Sequence, residues 1–170
     1  MNNINKKSLI ITLKIDDASQ AFFNEKRKQY YPAYANFVDA HITLFHKLPA
    51  DENIVYDTLN QMSKINVFQM QVVGIKHIDN FVAYDIVSPT LQHMHAEMQT
   101  TFANMLTEKD KEILWPHITV HNKATVYKAF KTYEKLLKDF KPRSIMAIGF
   151  STWFYAKKQW IKKEDFLFTP

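Results

Sequence analysis

The chain has 170 residues, of which 46% are hydrophobic and 23% are charged, and it carries a formal net charge of +5 and no cysteine. This composition is typical of a soluble globular protein of one domain or two close lobes, and it excludes disulfide bonds and thiolate metal sites. No apolar run approaches the ~18 to 20 residues of a membrane span, and the opening MNNINKKSLI lacks the apolar core of a secretory signal, so we expect a cytoplasmic protein.

The first half of the chain predicts two strands and two helices in alternation. Residues 8–15, SLIITLKI, are rich in β-branched side chains and favour a buried strand. A helix is predicted over residues 16–31, which open with acidic and Ser caps and end before a proline. Strand residues return at 41–48, and a helical stripe of apolar side chains follows over 53–65.

The second half continues this alternation after a hairpin. Residues 68–78 and 81–88 flank Asp79-Asn80, a short polar turn of the kind that joins antiparallel strands. A helix is then predicted from Pro89, with apolar side chains at helical spacing as far as Met105. The remaining predicted elements are a strand over 117–123, an amphipathic helix from Val126 to Phe140, and closing strands over 144–156 and 159–168.

The order of these elements bounds the fold class. Strands and helices alternate, which indicates an α+β or α/β protein. One helix follows strand 41–48 and another follows strand 117–123, so the second half loosely echoes the first. With only two glycines and no low-complexity segment, the chain offers no flexible linker. We therefore predict a single two-lobed domain over residues 1–170.

A tetrapeptide occurs almost unchanged at two distant places, as HITL at 41–44 and as HITV at 117–120. Alternate side chains of a strand share a face, so the histidine and threonine of each copy point one way and its two aliphatic residues the other. Each copy therefore predicts a strand with an apolar back. Its polar front needs hydrogen-bond partners, water or a ligand.

The rarity of this repeat and its chemistry both favour a functional site. Fewer than one His-x-Thr match is expected by chance from 7 histidines and 12 threonines. A single copy would be explained by a histidine hydrogen-bonded at a strand edge, beside a threonine that favours strands. Two imidazoles can act as general base and general acid near neutral pH. Two threonine hydroxyls can hold phosphate oxygens and stabilise a pentavalent transition state without a metal.

The residues around the two copies resemble a known family. AHITLFHKLP (40–49) and WPHITVHNK (115–123) are similar to the paired motifs of the two-histidine (2H) phosphoesterases, in the forms found in bacterial 2′-5′ RNA ligase-like proteins. The segment from Arg27 to Pro32 resembles the same branch, and the resemblance covers about residues 8–168. It implies an α+β fold of two pseudo-symmetric lobes, each with an antiparallel sheet and helices. One motif from each lobe would face a central cleft.

The resemblance also implies a reaction and its residues. His41 and His117 would be the catalytic pair, and Thr43 and Thr119 would hold the phosphate. The enzyme would open a 2′,3′-cyclic or related phosphate, or cleave and in reverse form a 2′-5′ linkage, at a nucleotide or RNA end. It would need no cofactor and would act as a monomer away from membranes. Well-known members carry an arginine shortly after the second motif, where this chain has Lys123, a compact ammonium rather than a two-pronged donor.

Other side chains are candidates for substrate binding. His121 shares the predicted face of His117, so it lies either in the cleft or at a solvent-facing strand end. His46 is predicted on the opposite face of its strand from His41. The remaining candidates could reach phosphate or stack on a base, or belong to an ordinary helix end and core: Arg27, Tyr31, Tyr155 and Trp153.

Two rival functions stay open. One is a non-catalytic nucleotide- or RNA-binding module that keeps the same cleft. The other is a metal-dependent hydrolase built on the seven histidines, against which the absence of cysteine argues. His93 and His95 lie two apart on a predicted helix and diverge, so they predict no metal site.

Overall fold

The structure of this protein is a computed structural model, which describes residues 8–156 and 159–170. Residues 1–7, part of the segment inspected for a secretory signal, lie outside the described residues. No helix among the described residues is long and apolar enough to cross a membrane. Three short 3₁₀ turns, Ala33–Ala35, Ala103–Met105 and Lys109–Lys111, lie in connections. The described strands and α-helices are, in chain order, β1 (Ser8–Ile15), α1 (Asp17–Tyr30), β2 (Ile42–Pro49), α2 (Asn53–Met62), β3 (Phe68–Ile78), β4 (Phe81–Val87), α3 (Pro89–Thr101), β5 (His117–His121), α4 (Val126–Asp139), β6 (Arg143–Ala156) and β7 (Gln159–Leu167).

The predicted elements are present but differ at some ends. The helix predicted to run to Met105 ends at Thr101, and the chain then tightens into a 3₁₀ turn. Met105 still packs against the core, so the apolar spacing reflected burial that continues beyond the α-helix. The strand predicted over 117–123 ends at His121. Lys123 has a φ of 59°, in the left-handed region that a strand cannot contain.

The sheet has a pseudo-two-fold order. All pairs of named strands are antiparallel, and the order is β2-β1-β6-β3-β4-β5, with β7 paired to β6. Exchanging β1 with β4, β2 with β5 and β3 with β6 gives the same order read backwards. Each half is thus one β-α-β-α-β unit. The fold is α+β, as predicted, but the two sheets are joined rather than separate, because β3 and β6 pair with each other.

Strand β6 is where the two halves meet. Its first part, Arg143–Ala147, pairs with β3, and its second part, from Gly149 onward, pairs with β7. Gly149 has a φ of 156°, and a Cβ atom there would lie 2.6 Å from the carbonyl oxygen of Phe166. Only glycine therefore allows β7 to approach at this point. In the order of the described strands, β7 has no counterpart in the other half.

The first helix of each half packs against the strands of the other half. Helix α1 follows β1, yet its Phe23 contacts Tyr84 of β4, with ring centroids 5.1 Å apart. Helix α3 follows β4, yet its His95 stacks on Phe45 of β2 at 4.6 Å. Phe23 and Phe45 are both 0% exposed, and burial of each such side chain contributes about 1.5 to 3 kcal/mol. These contacts cover the apolar backs of both motif strands.

Side-chain caps define where three helices begin. Asp16, Ser88 and Thr125 accept hydrogen bonds from backbone amides of the first turns of α1, α3 and α4, at 2.9, 3.2 and 3.3 Å. Such caps satisfy amides that have no partner within the helix. Asp16 also accepts from the amide of Met146 in β6 at 2.9 Å. The start of α1 is therefore attached to the strand that joins the two halves.

Candidate active site

The two motif strands, β2 and β5, lie at opposite ends of the strand order and yet contact each other. The sheet therefore curves until its two ends enclose a cleft. Thr43 of the first motif and His117 and Thr119 of the second line one cavity of about 290 Å³. The pseudo-symmetry of the fold thus brings together residues that are far apart in sequence.

Side chains alternate within each motif as predicted. The aliphatic residues of both copies are at most 2% exposed: Ile42, Leu44, Ile118 and Val120. The polar residues of both copies are partly exposed: His41, Thr43, His117 and Thr119. His41 itself precedes the first residue of β2. Each motif therefore presents an imidazole and a hydroxyl on the side opposite its buried aliphatic residues.

A backbone carbonyl fixes the tautomer of each histidine. Nδ1 of His41 lies 2.6 Å from the carbonyl oxygen of Asp39, and Nδ1 of His117 lies 2.7 Å from that of Trp115. In both motifs the acceptor is two residues before the histidine. Because a carbonyl oxygen only accepts, Nδ1 carries the proton. Nε2 is therefore the atom that can exchange a proton with a substrate.

Each imidazole also rests on an indole. The ring of His117 stacks on Trp115, with centroids 4.2 Å apart and an interplanar angle of 23°, and Phe81 meets it edge-on at 5.5 Å. The ring of His41 lies against Trp160 of β7 at 4.9 Å. These contacts restrict rotation of both rings. The Nε2 atoms are therefore held in place before a substrate binds.

A carboxylate holds the indole under His117. Nε1 of Trp115 donates to Oδ1 of Asp85 at 2.6 Å. The other oxygen of Asp85 lies 3.1 Å from Nζ of Lys76, and this ammonium is 5.0 Å from the centre of the Trp115 ring. Asp85 is also the direct partner of His117 in the pairing of β4 with β5. Asp85 is thus a positioning residue that acts through Trp115.

The pKa of His41 is strongly lowered. Burial is the main cause, the positive charges of Arg27 and His117 add to it, and the pKa falls to about 4 although the Asp39 carbonyl opposes the change. His41 is therefore neutral at pH 7 and has a free lone pair on Nε2.

The pKa of His117 is also lowered, but two neighbouring groups oppose this change. Burial is again the largest cause, and the positive charges of His46 and Lys109 add to it. The Trp115 carbonyl and the negative charge of Asp85 act in the other direction. The Asp85 carboxylate thus favours the protonated form of His117. For His41, none of the main causes of its pKa shift is the charge of a carboxylate.

A β-bulge after the second motif corrects the prediction for His121. Thr119 pairs with Ala83 and His121 with Val82, so two steps along β5 match one step along β4. His121 is consequently 4% exposed and faces α4, where its Nδ1 lies 3.1 Å from the hydroxyl of Thr132. Both predicted positions, in the cleft or in solvent, are wrong.

A matching bulge after the first motif corrects the prediction for His46. Thr43 pairs with Thr12 and Phe45 with Ile11, so β2 again advances two residues for one on its partner. His46 therefore lies on the cleft side of the strand and lines the cavity with Thr43. The prediction of the opposite face assumed a regular strand. The sequence carries no clear signal of either bulge.

Arg27 holds the second motif strand instead of presenting its charge to the cleft. It is only 4% exposed, and its Nη1 donates to the carbonyl oxygen of Thr119 at 2.8 Å. Its Nε donates to Asn36 at 3.1 Å, and its guanidinium lies over the Tyr31 ring at 4.2 Å. The predicted phosphate contact is thus replaced by a positioning role, and Tyr31 packs on the guanidinium.

Lys123 and the aromatic candidates lie away from the shared cavity. Lys123 is exposed beyond the end of β5, and its carbonyl oxygen accepts from the hydroxyl of Tyr34 at 2.6 Å. Tyr155 is 46% exposed and pairs with Trp160 across β6 and β7. Nε1 of Trp153 donates to the hydroxyl of Thr12 at 2.9 Å. The aromatic residue of β6 and β7 that contacts a motif histidine is instead Trp160, which lies against His41.

The two helix histidines diverge, as predicted. Nε2 of His93 lies 3.3 Å from a carboxylate oxygen of Glu97 on the exposed side of α3, whereas Nε2 of His95 lies 2.9 Å from the carbonyl oxygen of Leu44 in the interior. Within residues 8–156 and 159–170, no group of three or more His, Asp or Glu side chains is arranged to hold a metal ion.

Sequence reasoning missed the residues that support the two imidazoles. Trp115 lies only two residues before His117, so its closeness in sequence was the one available signal that it supports this ring. Asp85 and Trp160 come from distant strands, and only the tertiary fold brings them to the motifs. Lys109, on the connection before β5, also lines the cavity and was not identified.

Solved structures of low sequence identity share this fold. LigT of E. coli, in a crystal structure with 3′-AMP, is 13% identical with a TM-score of 0.62, covering 96% of this chain and 99% of that chain. TT0787 of Thermus thermophilus is 14% identical with a TM-score of 0.66, covering 94% and 97%. A further crystal structure, of a phosphoesterase, is 13% identical with a TM-score of 0.58, covering 97% and 99%.

The family assignment comes from the sequence itself. A search of curated proteins finds no match. The sequence model of the 2′-5′ RNA ligase superfamily matches residues 15–155, a span that covers most of the chain and includes both motifs. The chain therefore belongs to the 2′-5′ RNA ligase superfamily, and with it to the two-histidine phosphoesterases.

Proposed function

We propose that this protein is a metal-independent phosphoesterase that acts on a 2′,3′-cyclic or related cyclic phosphate, or on a 2′-5′ phosphodiester, at a nucleotide or RNA end. The observation that carries the proposal is the matched anchoring of two imidazoles. His41 and His117 each place the Nδ1 proton on a carbonyl two residues earlier, which leaves Nε2 for proton transfer. The superfamily match supports the same class of reaction.

In hydrolysis, the two imidazoles act as base and acid on opposite sides of phosphorus. Nε2 of one histidine removes a proton from water while the water oxygen forms a bond to phosphorus. The bond from phosphorus to one ribose oxygen breaks, and that oxygen takes a proton from Nε2 of the other histidine. If a ribose 5′-hydroxyl replaces water and the 3′ oxygen leaves, the same steps form a 2′-5′ linkage.

The two threonines are proposed to hold the reacting phosphate. Thr43 and Thr119 line the same cavity as His117, and each hydroxyl can donate a hydrogen bond to a non-bridging phosphate oxygen. Charge on these oxygens grows in the pentavalent transition state. Donors that are already in position stabilise that charge more than they stabilise the ground state, which accelerates the reaction.

A nucleotide is the substrate class that the relatives favour. Crystal structures of E. coli LigT contain 3′-AMP, NADP⁺, ATP or phosphate. We extend nucleotide binding to this chain as part of the proposal. The formal net charge of +5 is consistent with an anionic ligand, because it favours the approach of such a ligand at low ionic strength.

The direct test uses substrate panels in the presence of EDTA. Nucleoside 2′,3′-cyclic phosphates, RNA with a cyclic end and 2′-5′-linked oligoadenylates are incubated with wild type and with the His41→Ala/His117→Ala variant. We expect wild type to convert at least one class and the double variant to be about 10³-fold slower. His93→Ala, a substitution on the exposed side of α3, is the control and should behave as wild type.

Two outcomes would contradict the proposal. Equal conversion by wild type and the double variant would place the chemistry elsewhere. Binding of a nucleotide in calorimetry, without product from any substrate class, would instead favour the non-catalytic binding module.

A further inference from the structure

The cavity extends beyond the two motifs to the connection between α3 and β5. Side chains of this connection form one of its walls, among them Lys109, Ile113 and Leu114. At about 290 Å³, the cavity is several times larger than a phosphate group. A substrate whose reacting phosphate lies at the two motifs would therefore leave room for further groups along this wall.

The 3₁₀ turn that carries Lys109 is attached to the first motif strand by a buried carboxylate. Asp110 is 2% exposed and accepts from the backbone amides of His46 at 2.8 Å and Lys47 at 3.2 Å. It also accepts from the hydroxyl of Thr107 at 2.9 Å, and its Oδ1 lies 3.1 Å from Nδ1 of His46. These bonds hold the backbone of Lys109 beside the cavity.

Among the described residues, no carboxylate neutralises the ammonium of Lys109. It forms no ion pair with any residue of 8–156 or 159–170, whereas Lys111 of the same turn pairs with Glu108 at 2.7 Å. Of the acids on the wall, Asp110 is satisfied by its donors and Glu112 is exposed to solvent.

The charge of Lys109 acts on the motif residues. Burial is the main cause of the lowered pKa of His117, and the positive charge of Lys109 adds to it. This effect agrees with the position of both residues around one cavity. A cation close to the motifs and without a carboxylate partner is suited to bind an anion.

We propose that Lys109 binds a second phosphate of the substrate, so that the enzyme prefers a nucleotide with two phosphate groups over one that carries only the reacting phosphate. The first is the reacting phosphate at the motifs, and the second is the 5′ phosphate of the same nucleotide. This inference rests on the proposed function, which locates the reacting phosphate. Ile113, which is 90% exposed, and Leu114 beside it form an apolar surface that a nucleoside between the two phosphates would cover.

Such a role would supply the positive charge that the sequence led us to expect from Lys123. An ammonium on a flexible stem binds phosphate as a point charge and does not require the paired geometry of an arginine. Both lysines are exposed, but Lys109 lines the cavity from a turn anchored on β2, whereas Lys123 follows the end of β5 and is not among the side chains that line it.

The test compares two substrates that differ by one phosphate. Adenosine 2′,3′-cyclic phosphate and its 5′-phosphorylated form are assayed with wild type, Lys109→Gln and Lys111→Gln. We expect Lys109→Gln to lower kcat/KM for the 5′-phosphorylated substrate by about 10-fold and to change the other substrate less than about 2-fold. Lys111→Gln, on the same exposed turn, should leave both values unchanged. The preference of wild type should also weaken as salt is raised, because the contact is exposed.

Two results would overturn the inference. Equal losses on both substrates would mean that Lys109 serves the reacting phosphate or the fold, and no loss on either would remove it from the site. If wild type converts neither substrate, the assay does not reach Lys109, and binding tests this residue separately from the proposed function, which the full substrate panel decides. In calorimetry, wild type should then bind adenosine 3′,5′-bisphosphate more tightly than adenosine 3′-phosphate, and Lys109→Gln should lose the difference. A Lys109→Gln protein that keeps the difference would contradict the inference.

Discussion

The two halves of this protein follow the same chain path but surround their histidines differently. Both rings place Nδ1 on a carbonyl two residues earlier and rest on an indole. For His117 the indole is Trp115, which Asp85 holds from the neighbouring strand. For His41 it is Trp160, from strand β7, which follows the second half and has no counterpart among the described strands after the first. Backbone symmetry thus creates two equivalent positions, and unrelated side chains make them chemically unequal.

The supports behind the two motif strands differ in the same way. Each motif strand is held by a helix from the other half, through a side chain that meets a backbone carbonyl. Nη1 of Arg27 donates to Thr119 at 2.8 Å, and Nε2 of His95 lies 2.9 Å from the carbonyl oxygen of Leu44. One support is a buried cation and the other is an imidazole. In each motif strand a backbone carbonyl oxygen therefore has a hydrogen-bond donor from the other half, but the chemical type of that donor differs.

The largest expected effect tests whether both histidines are needed. We expect His41→Ala and His117→Ala each to lower kcat/KM by about 10³-fold, because each removes one of two proton transfers. Since the pair acts as a unit, the double variant should lose little more than either single variant. Steady-state kinetics with a substrate from the EDTA panel measures this. A variant with nearly full activity would show that one half alone carries the chemistry.

The threonines test whether the two halves share the phosphate equally. Thr43→Val and Thr119→Val keep the shape of the side chain and remove the hydroxyl, so we expect each to lower kcat by about 10²-fold. Thr100→Val, on the exposed face of α3, is the matched control. A loss for one threonine only would mean that the phosphate is held mainly by that half.

The helix supports should contribute unequally to stability. Arg27→Met leaves the Thr119 carbonyl and Asn36 without their donor and should lower the free energy of unfolding by about 2 kcal/mol. His95→Leu breaks one hydrogen bond between neutral groups, and we expect a loss of about 1 kcal/mol. Denaturant unfolding followed by circular dichroism measures both. Lys28→Met, at an exposed position next to Arg27, should have no effect, and an equal loss there would refute the account.

The smallest expected effect separates the acid from the base. With His41 as base, kcat/KM rises with pH through the pKa of about 4. With His117 as acid, it falls again as pH rises through a pKa that lies below the ordinary value of about 6.5. Asp85 favours protonated His117, so Asp85→Asn should lower that pKa further and move the alkaline limb to lower pH.

The same pH profiles contain the control. Asp165→Asn alters a carboxylate of β7 that accepts hydrogen bonds from Ser151 and Lys162, and it should leave the alkaline limb in place. If Asp85→Asn moved the acidic limb instead, His117 would be the base and His41 the acid. Unchanged limbs would mean that His117 does not titrate in the reaction.

Local patterns predicted most of the fold and the centre of the site. The alternation in HITL and HITV depends only on strand geometry, and the aliphatic residues of both copies are buried. The faces of His46 and His121 were predicted wrongly because each motif is followed by a bulge. A bulge depends on how two strands pair, so a single strand does not reveal it. The monomeric state and the cytoplasmic location stay predictions.

The existence of two polar strand motifs, and the atoms they offer, could be read from the chain alone, because side-chain period and residue chemistry are local properties. The surroundings of the motifs depend on the folded structure. The exchange of helices between halves, the indoles under the imidazoles and the lysine on the cavity wall all arise from contacts between distant segments. Burial and neighbouring charge depend on such contacts, so the lowered pKa values of His41 and His117 could not be derived from the motifs alone.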